Sequence, residues 1–353
     1  MKDKKFIGQI QEYSHYSVSG VKEDFKLDLI DRKILYLLSE NARLSTTHLA
    51  KELRIDRSTI AYRIKRMVDA DFLHGYMTLF NNRKLGFKNY ILYLKLKTLN
   101  EEKDLMDFLM RMDEVTTLKS CSGNYDVQAI FSVKTEEDFL EVFSKVTNAY
   151  HHLIQNYDLL ELLEENFLGL SLLLDEAERK KLHNSERKGS AFQKELLNVP
   201  SQSKVPTLDK KDIQIMRELK MDARIGVNEL SKKVHLAPNS VKVRIKRMIA
   251  TGIIKKFIPI ASLSVLGYQW WKVFFKFRNL DKAKFQSFLR YHPNILWYMM
   301  LLGKWDYQIS VFAKDNAEFH KVIDELRSEF ADNIISYDSI IIFNQFKYVE
   351  RTE

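Results

Sequence analysis

The sequence predicts an α+β protein in which one two-domain unit occurs twice. Three observations lead to this fold class. The motif Leu-Asp-x-x-Asp begins at Leu27 and again at Leu208, an offset of 181 residues. Each copy opens with the apolar spacing of short amphipathic helices, and each continues with the alternating apolar residues of β-strands. These patterns predict a tandem duplication of an α+β unit.

Other segments support the same offset. Arg-Ile-Lys-Arg-Met occupies residues 63–67 and again residues 244–248. After a one-residue deletion the offset becomes 180, which pairs Gly123 with Gly303. A repeat that keeps its register over this length indicates two copies of one fold rather than a short shared motif.

Three short helical patterns open each copy. In the first copy the third pattern covers residues 57–70, and its apolar residues fall on one face. Asp56 is placed to cap this helix, whereas Ala237 stands at the equivalent position of the second copy. Short loops join the helices, and strands follow at residues 72–80 and 253–260. This order predicts a winged helix-turn-helix in each copy.

The polar face of the third helix indicates nucleic-acid binding. Hydroxyl, amide and guanidinium groups bond to phosphates and base edges, and a helix fits the major groove of DNA. An ordinary solvated helix face is the competing interpretation, but the same Arg-x-Lys-Arg in both copies favours double-stranded DNA as a partner. The candidate DNA-binding residues are Arg57, Ser58, Thr59, Tyr62, Arg63, Lys65 and Arg66 in the first copy and Pro238, Asn239, Ser240, Arg244, Lys246 and Arg247 in the second.

The remainder of each copy has the order strand, helix, strand, strand, helix, strand. This βαββαβ order predicts a ferredoxin-like domain, with both helices on one face of an antiparallel sheet. Apolar residues on both sides of strands such as residues 90–97 indicate that the second sheet face is also covered. We expect the two sheets to pack on each other within the chain, as a pseudo-dimer.

The repeat divides the chain into six segments. Polar residues between the copies predict a linker with one short helix around residues 191–197. The residues before Leu27 have no repeat partner and are expected to form an arm. The predicted segments are the N-terminal arm (1–26), the first helix-turn-helix domain and hinge (27–80), the first ferredoxin-like domain (81–175), the linker (176–207), the second helix-turn-helix domain and hinge (208–261) and the second ferredoxin-like domain (262–353).

Composition argues against several classes of protein. The 353 residues include one cysteine, Cys121, which allows no intrachain disulfide and no Cys-rich metal motif. The N-terminus lacks the apolar core of a signal peptide, and no apolar run is long enough to span a bilayer. We therefore expect a cytoplasmic protein without a membrane partner. No catalytic triad, paired catalytic carboxylates, phosphate loop or zinc motif is visible, so we expect no catalytic residues, metal or cofactor.

The net charge of +9 favours a polyanionic partner, and its distribution separates the two copies. Residues 27–80 contain 9 Lys or Arg and 7 Asp or Glu, whereas residues 208–261 contain 13 and 5. Residues 81–175 are acidic, with 10 and 16. We expect the second copy to supply most of the attraction to phosphates, and the two helices to read unequal half-sites.

These features together resemble the Lrp/AsnC family of feast/famine transcription regulators. The resemblance rests on Leu-Asp-x-x-Asp, on Asn-Ala-Arg at Asn41 and Asp-Ala-Arg at Asp222, and on Gly-Asn-Tyr-Asp and Gly-Lys-Trp-Asp at Gly123 and Gly303. It covers nearly the whole chain except the arm and the linker. Most members carry one unit and dimerise through the ferredoxin-like (RAM-type) effector domain. The resemblance thus implies a covalent pseudo-dimer, which we expect to form further homo-oligomers.

The resemblance also implies an effector site. In the family the second domain often senses an amino acid near the Gly-x-x-Asp loop, at an oligomer interface. Alternatively, Gly supplies the turn and Asp caps nearby amides, so that the loop only shapes a hairpin. The candidate effector-binding residues are Gly123, Asn124, Tyr125 and Asp126 in the first copy and Gly303, Lys304, Trp305 and Asp306 in the second.

Two other functions stay open. Siroheme decarboxylases resemble this chain in their two-domain plan, but the resemblance implies a haem-facing His where this chain has Ser122-Gly123 and Leu302-Gly303. A protein that has lost DNA binding and only binds partners is the other alternative. The sequence also leaves open whether two chains pair through like domains instead of one chain pairing with itself.

Overall fold

The computed structural model describes residues 25–186 and 207–352. The predicted arm lies outside the described residues except for Phe25 and Lys26, and so does the predicted helix at residues 191–197. The structure has the predicted order of elements in both halves.

The described residues contain eleven α-helices and ten β-strands. The first half contains α1 (Leu29–Glu40), α2 (Thr46–Leu53), α3 (Arg57–Asp69), β1 (Leu73–Phe80), β2 (Lys88–Leu96), α4 (Glu102–Arg111), β3 (Val115–Ser122), β4 (Val127–Val133), α5 (Glu136–Tyr150), β5 (Ile154–Phe167) and α6 (Glu176–Glu186). The second half contains α7 (Lys210–Met221), α8 (Val227–Val234), α9 (Pro238–Ala250), β6 (Ile254–Ala261), β7 (Gln269–Phe277), α10 (Lys282–Tyr291), β8 (Ile295–Leu302), β9 (Tyr307–Ala313), α11 (Asn316–Phe330) and β10 (Ile334–Tyr348).

The first helix of each half begins with a capping box. The Asp28 side chain accepts a hydrogen bond from the Asp31 backbone N–H, and the Asp31 side chain accepts one from the Asp28 N–H. Asp209 and Asp212 repeat this arrangement at α7. The repeated Leu-Asp-x-x-Asp motif is therefore a helix start signal. The expected side-chain cap of α3 by Asp56 is wrong, because that side chain makes no capping hydrogen bond.

A two-stranded ribbon and two arginines join the helix-turn-helix units. The strand after each unit pairs with the strand of the other half, β1 with β6, in antiparallel register. Arg43 donates to the backbone oxygens of Ala223 and Ile225 at 2.6 and 3.0 Å, and Arg224 donates to that of Leu44 at 3.0 Å. This reciprocal clamp gives the Ala-Arg repeat a structural role, since each arginine satisfies carbonyls of the other unit.

The two ferredoxin-like sheets close into one eight-stranded barrel. Within each half the order is that of the predicted fold, β3-β4-β2-β5 and β8-β9-β7-β10. The edge strands then pair between halves, β5 with β8 and β10 with β3, both antiparallel. The two sheets therefore associate within the chain, as predicted. The prediction was of face-to-face packing, and the structure adds hydrogen bonds between the sheet edges.

Side chains from both halves fill the barrel. The Tyr93 ring lies 5.2 Å from that of Phe274, with an edge-to-face angle of 85°. The Tyr93 hydroxyl also donates to Gln308 and accepts from Gln128 Nε2 at 2.9 Å. The outer sheet faces pack on α4 and α5 in the first half and on α10 and α11 in the second. The free sheet face predicted from the alternation is therefore the barrel interior.

The linker prediction needs a correction at its start. Residues 176–186 form helix α6, which the Asp175 carboxylate caps by accepting from the Glu178 N–H at 2.8 Å. Lys33 Nζ of α1 lies 2.5 Å from Glu178 Oε2, and Leu182 is buried. This helix was not predicted because the sequence of α6 is polar and has no apolar stripe. Its position depends instead on contacts with α1.

Two lysines are buried inside the barrel. Lys119 of β3 and Lys272 of β7 are 3% and 0% exposed, and Lys119 Nζ lies 4.2 Å from the centre of the Trp270 ring. Burial lowers the pKa of Lys119 to about 8. Burial, followed by the charge of Lys119, lowers the pKa of Lys272 well below its usual value. No hydrogen-bond acceptor among the described residues contacts Lys272 Nζ.

Replacing Lys272 with methionine is expected to stabilise the fold near neutral pH. The unfolded chain keeps the Lys272 proton up to about pH 10.4, whereas the folded chain loses it at lower pH. The stability of the native chain should therefore rise with pH between these two pKa values. We expect the Tm of Lys272→Met to exceed that of the native chain, with a difference that shrinks as the pH approaches about 10.

The matched control is Lys103→Met, which changes an exposed lysine on α4. Thermal melts across the same pH series should give a nearly constant difference for this control. A Tm gain for Lys272→Met that does not vary with pH would show that packing, rather than the buried amine, causes it.

Candidate nucleic-acid interface

A buried carboxylate holds α3, the candidate recognition helix of the first half; α9 is its counterpart in the second half. Asp31 of α1 is 0% exposed and pairs with two arginines of α3, at 3.0 Å from Arg63 Nη1 and through Arg66 Nη2. Arg63 Nη1 also lies 2.6 Å from Asp28 Oδ2. Because a buried carboxylate needs opposite charge and hydrogen bonds, these contacts hold α3 against the N-terminus of α1.

The second half has the same arrangement. Asp212 of α7 is 0% exposed and pairs with Arg244 Nη1 at 2.8 Å and with Arg247 Nη2 of α9. Arg244 Nη1 also lies 2.7 Å from Asp209 Oδ2. The Asp212 backbone N–H, followed by the Arg244 guanidinium, holds the pKa of Asp209 below its usual value. Both recognition helices are therefore held by the same carboxylate and arginine cluster.

These clusters correct the expected orientation of two candidate DNA-binding residues. Arg66 and Arg247 were predicted to point outward, but their side chains are about 36% and 40% exposed and bind buried aspartates. Helical periodicity alone places them on the polar face, and it does not show that a carboxylate of another helix reaches them. Their first role is to position α3 and α9.

The exposed faces of the two recognition helices differ. Tyr62 is 67% exposed in α3, whereas the equivalent residue of α9 is Val243, which is 59% exposed. Lys242 is exposed where the first half has Ala61. Arg63, Arg244 and Thr59 are half-buried. The remaining predicted DNA-binding residues are exposed, and they are Arg57, Ser58 and Lys65 in α3 and Pro238, Asn239, Ser240 and Lys246 in α9.

The two Gly-x-x-Asp loops are fastened to their own sheets by the aspartates. Asp126 accepts from Lys95 Nζ at 2.9 Å and from the Leu96 backbone N–H at 2.8 Å. Asp306 makes the equivalent bonds in the second half, at 2.8 and 2.7 Å. Both carboxylates therefore stabilise the hairpin, as the alternative interpretation of these loops expected.

The same loops contact the last strand of the opposite half. Asn124 Nδ2 donates to Asp338 Oδ2 at 2.5 Å, and Lys304 Nζ donates to Asp158 Oδ2 at 2.7 Å. The Tyr125 hydroxyl also donates to Asp158, and burial, together with this bond, raises its pKa to about 12. The loops thus lie at the junction between the halves, with different polar groups at the two equivalent places.

Glycine is required at the first position of each loop. Gly123 has φ +127 and Gly303 has φ +136, a region that L side chains rarely adopt. A Cβ at Gly303 would lie 2.9 Å from Leu160 Cδ2, and one at Gly123 would lie 3.2 Å from the Ser339 oxygen. These glycines therefore allow the close approach of the two halves. Trp305, the remaining candidate of the loop, is buried in the barrel core.

Two other kinds of feature are absent from residues 25–186 and 207–352. No group of three or more His, Cys, Asp or Glu side chains is arranged to hold a metal ion. No helix in these ranges combines the length and apolarity needed to cross a bilayer.

Comparison with known proteins identifies the domains of the chain. A family model for winged helix-turn-helix DNA-binding domains matches residues 27–73 and 208–255, and one for the Lrp/AsnC ligand binding domain matches residues 274–351. The transcriptional regulator AzlB of Bacillus subtilis is 32% identical over 145 residues, which cover 40% of this chain and 91% of AzlB. The chain belongs to the Lrp/AsnC family.

A second relative supports the same assignment. The transcriptional regulator Ptr1 of Methanocaldococcus jannaschii is 36% identical over 112 residues, which cover 31% of this chain and 75% of Ptr1. Each relative thus matches less than half of this Lrp/AsnC chain. The siroheme decarboxylase NirDL, a solved structure, is 10% identical and superposes over 92% of this chain and 94% of its own, with a TM-score of 0.57. That likeness shows the fold alone.

Two contributions to this Lrp/AsnC interface were missed in the sequence. Lys242 adds a cation to the exposed face of α9 where α3 has Ala61, so the cations of the two faces differ in position: Arg57 of α3 has the uncharged Pro238 as its counterpart. Arg43 and Arg224 join the two helix-turn-helix units, whereas in the sequence they indicate only the repeat. The two arginines occupy the same position in both copies. This repetition could have predicted the contact, since a residue kept in both copies of a paired unit often contacts the other copy.

We expect Arg247→Ala to destabilise the protein in the absence of DNA. The substitution removes one partner of the buried Asp212 carboxylate and leaves Arg244 as the other. Loss of one such contact should lower the free energy of unfolding by about 1–3 kcal/mol. Thermal or urea unfolding of the purified chain measures this change.

Lys242→Ala, on the exposed face of the same helix, is the control. It should leave the unfolding midpoint within experimental error of the native value. Equal unfolding midpoints for Arg247→Ala and the native chain would show that Arg247 does not stabilise the fold, and that its side chain is available for DNA binding.

Proposed function

We propose that this chain is a sequence-specific DNA-binding transcription regulator whose two recognition helices read unequal half-sites. One observation carries the proposal. The buried Asp31 and Asp212 clusters hold α3 and α9 in equivalent frames, while the exposed residues of the two helices differ. Equivalent frames favour docking of both helices in the same way, and different faces favour different bases.

The connections between the halves support a fixed spacing of the two helices. The β1–β6 ribbon, the Arg43 and Arg224 clamp and the closed barrel all join one half to the other. We propose that residues 27–80 and 208–261 bind successive major grooves, about 34–36 Å apart. Residues 81–175 and 262–353 then act as the effector domains that hold the two helix-turn-helix units. The proposed location is the cytoplasm, where a bacterial or archaeal chromosome lies.

The second unit supplies most of the phosphate attraction in this proposal. Lys242 and Lys246 of α9 are exposed, and residues 208–261 have 13 basic and 5 acidic residues. Salt reduces such binding because each neutralised phosphate releases counterions. Asn239 and Ser240, at the N-terminal end of α9, are the proposed base and phosphate contacts of this unit.

An effector and a larger assembly are further parts of the proposal. Beside the Gly303 loop, three apolar side chains are exposed: Tyr157 at 44%, Leu159 at 37% and Leu302 at 59%. Together they form an apolar surface that a second copy of the chain can cover. An amino acid or other small effector bound at either loop has to compete with the contacts of Asn124 or Lys304 across the junction. Binding there would therefore alter the junction between halves.

The first test selects sequences from random duplexes with the purified chain. We expect an operator with two different half-sites, because operator symmetry mirrors the symmetry of the protein face. Specificity is then measured with DNA fragments from the promoter of the gene that encodes this chain. Binding to these fragments is titrated with salt and with random competitor duplex. A symmetric palindrome would contradict unequal half-sites, and equally weak binding to every duplex would favour a protein that only binds partners.

Lys242→Ala tests the contribution of α9 to phosphate attraction. The substitution converts α9 to the residue found in α3, so we expect weaker binding and a salt slope shallower by about 1 unit. Tyr62→Ala should weaken binding at one half-site without changing that slope. Lys103→Ala, remote from the recognition helices on α4, is the control. Equal slopes for Lys242→Ala and the control would remove Lys242 from the interface.

A second candidate is a siroheme decarboxylase, because the NirDL fold matches both halves of the chain. We propose instead that the chain is not an enzyme, since Ser122-Gly123 and Leu302-Gly303 stand where that activity would need a haem-facing His. Incubation with siroheme, followed by absorbance spectroscopy, separates the two. A stable shifted haem band would favour the enzyme.

A further inference from the structure

A small cleft of about 60 Å³ lies between the β1–β6 ribbon and the barrel. Its lining includes Phe80 and Lys255 of the ribbon, Asn89 of β2, Glu165 of β5, and Glu350, which follows β10. A water molecule takes up about 30 Å³ in the liquid. The cleft therefore has room for an ion with a water molecule, and it is too small for an organic ligand.

Two amide oxygens in this cleft lack a hydrogen-bond donor. Asn89 is 5% exposed, and its Oδ1 has no partner among the described residues. Asn82 Oδ1 is a second buried oxygen without a partner in this part of the chain. Both side chains line the cleft. Burial of an oxygen acceptor costs free energy unless a donor or a cation binds it, so these oxygens indicate a ligand.

Two carboxylates in the cleft lack an ion pair. Glu165 is half-buried, and its side chain forms no hydrogen bond or ion pair within residues 25–186 and 207–352. Glu350 accepts from the Phe80 backbone N–H and from the Tyr348 hydroxyl, each at 3.4 Å. Both of these bonds are long, and both donors are uncharged. The cleft therefore combines carboxylate and amide oxygens whose capacity to bind a cation is not used.

Basic side chains of the lining do not supply that cation by direct contact. Lys255 is half-buried, and across the described ranges it forms no ion pair with Glu165 or Glu350. Arg83 donates to the Leu163 backbone oxygen at 3.3 Å instead. With the exposed Glu164, the lining contains three acidic and two basic side chains. Its net charge therefore attracts a cation, although Lys255 opposes this attraction.

The other half shows that the fold does not require polar groups at this place. At the offset of 181 residues, Leu263 is equivalent to Asn82 and Trp270 is equivalent to Asn89. Both Leu263 and Trp270 are buried in the barrel core. At the offset of 180, the uncharged Gln345 is equivalent to Glu165. Packing of the barrel thus does not explain the oxygens of the first half, and the repeat indicates one site per chain.

We propose that this cleft binds one hard divalent cation, such as Mg²⁺ or Ca²⁺. Its ligands are the carboxylates of Glu165 and Glu350 and the amide oxygens of Asn82 and Asn89. Hard cations prefer such oxygen ligands. The set has two carboxylates, and so it differs from the groups of three or more His, Cys, Asp or Glu that the described residues lack. The cation connects β2 and β5 to the segment after β10, and it therefore stabilises the contact between the two halves.

Thermal melts of the full chain without DNA test this site. Protein treated with EDTA and then dialysed is melted with MgCl₂ or CaCl₂, and NaCl at the same ionic strength is the reference. We expect at least one divalent salt to raise the Tm above the reference, because a ligand that binds only the folded chain stabilises it. No difference from NaCl with either salt would overturn the proposal.

Titration with Mn²⁺, which binds similar oxygen ligands, counts the sites. The EPR signal of the free ion measures the bound fraction. We expect one strong site per chain, with a dissociation constant of about 10⁻⁴–10⁻³ M, because the site has few carboxylates. The salt that raises the Tm should displace the Mn²⁺. Several equal sites would indicate adventitious binding to surface carboxylates and would overturn the proposal.

Variants assign the cation to the cleft. Glu165→Gln and Asn89→Leu should each weaken Mn²⁺ binding at least about tenfold, because each removes one ligand. Lys255→Met should strengthen the binding, because it removes a positive charge from the lining. Glu137→Gln, which removes an exposed carboxylate of α5, is the control and should bind as the native chain does.

Asn89→Leu gives the sharpest comparison, because it leaves every charge of the chain in place. Its melt in EDTA shows whether the fold is kept, and Glu165→Gln gives an independent test if it is not. Native affinity in a folded Asn89→Leu chain, or equal losses in Glu165→Gln and Glu137→Gln, would contradict the site. These measurements do not depend on DNA binding, so their outcome is separate from that of the proposed function.

Discussion

The edge pairing of β5 with β8 and of β10 with β3 is the constraint on which the rest of the structure depends. It turns two four-stranded sheets into a closed barrel, in which every strand of the described residues has a partner on both sides. Gly123 and Gly303 permit the close contact at the two junctions, because a side chain there would meet the opposite strand. The helix-turn-helix units are therefore attached to a base whose two halves have one relative position.

Much of this fold could be predicted from the sequence because duplicated patterns reinforce each other. The helix-turn-helix order, the βαββαβ order and the packing of the free sheet faces all follow from periodicity, and the structure contains them. The edge pairing could not be predicted, because strand periodicity shows which faces are buried and not which edges meet. Helix α6 escaped notice for a related reason, since contacts with α1 hold a segment that looks polar.

The candidate DNA interface could likewise be predicted only in part from the sequence. A helical wheel correctly placed Tyr62, Ser58 and Asn239 on an exposed face. It also placed Arg66 and Arg247 there, because it contains no information on the buried aspartates of α1 and α7. The repeated Leu-Asp-x-x-Asp and Arg-Ile-Lys-Arg-Met motifs are two sides of one contact. A pair of motifs kept together in both copies could have suggested this pairing.

The covalent link between the halves changes how binding should depend on the amount of protein. A regulator assembled from two single-unit chains must first associate, so the concentration of its paired form falls faster than that of the chain at low expression. Here β1 and β6 pair, and Arg43 and Arg224 clamp, within one molecule. The second helix-turn-helix unit is then always present at the high local concentration that a linked site provides. Occupancy of an operator can thus follow chain number in simple proportion, down to a few molecules per cell.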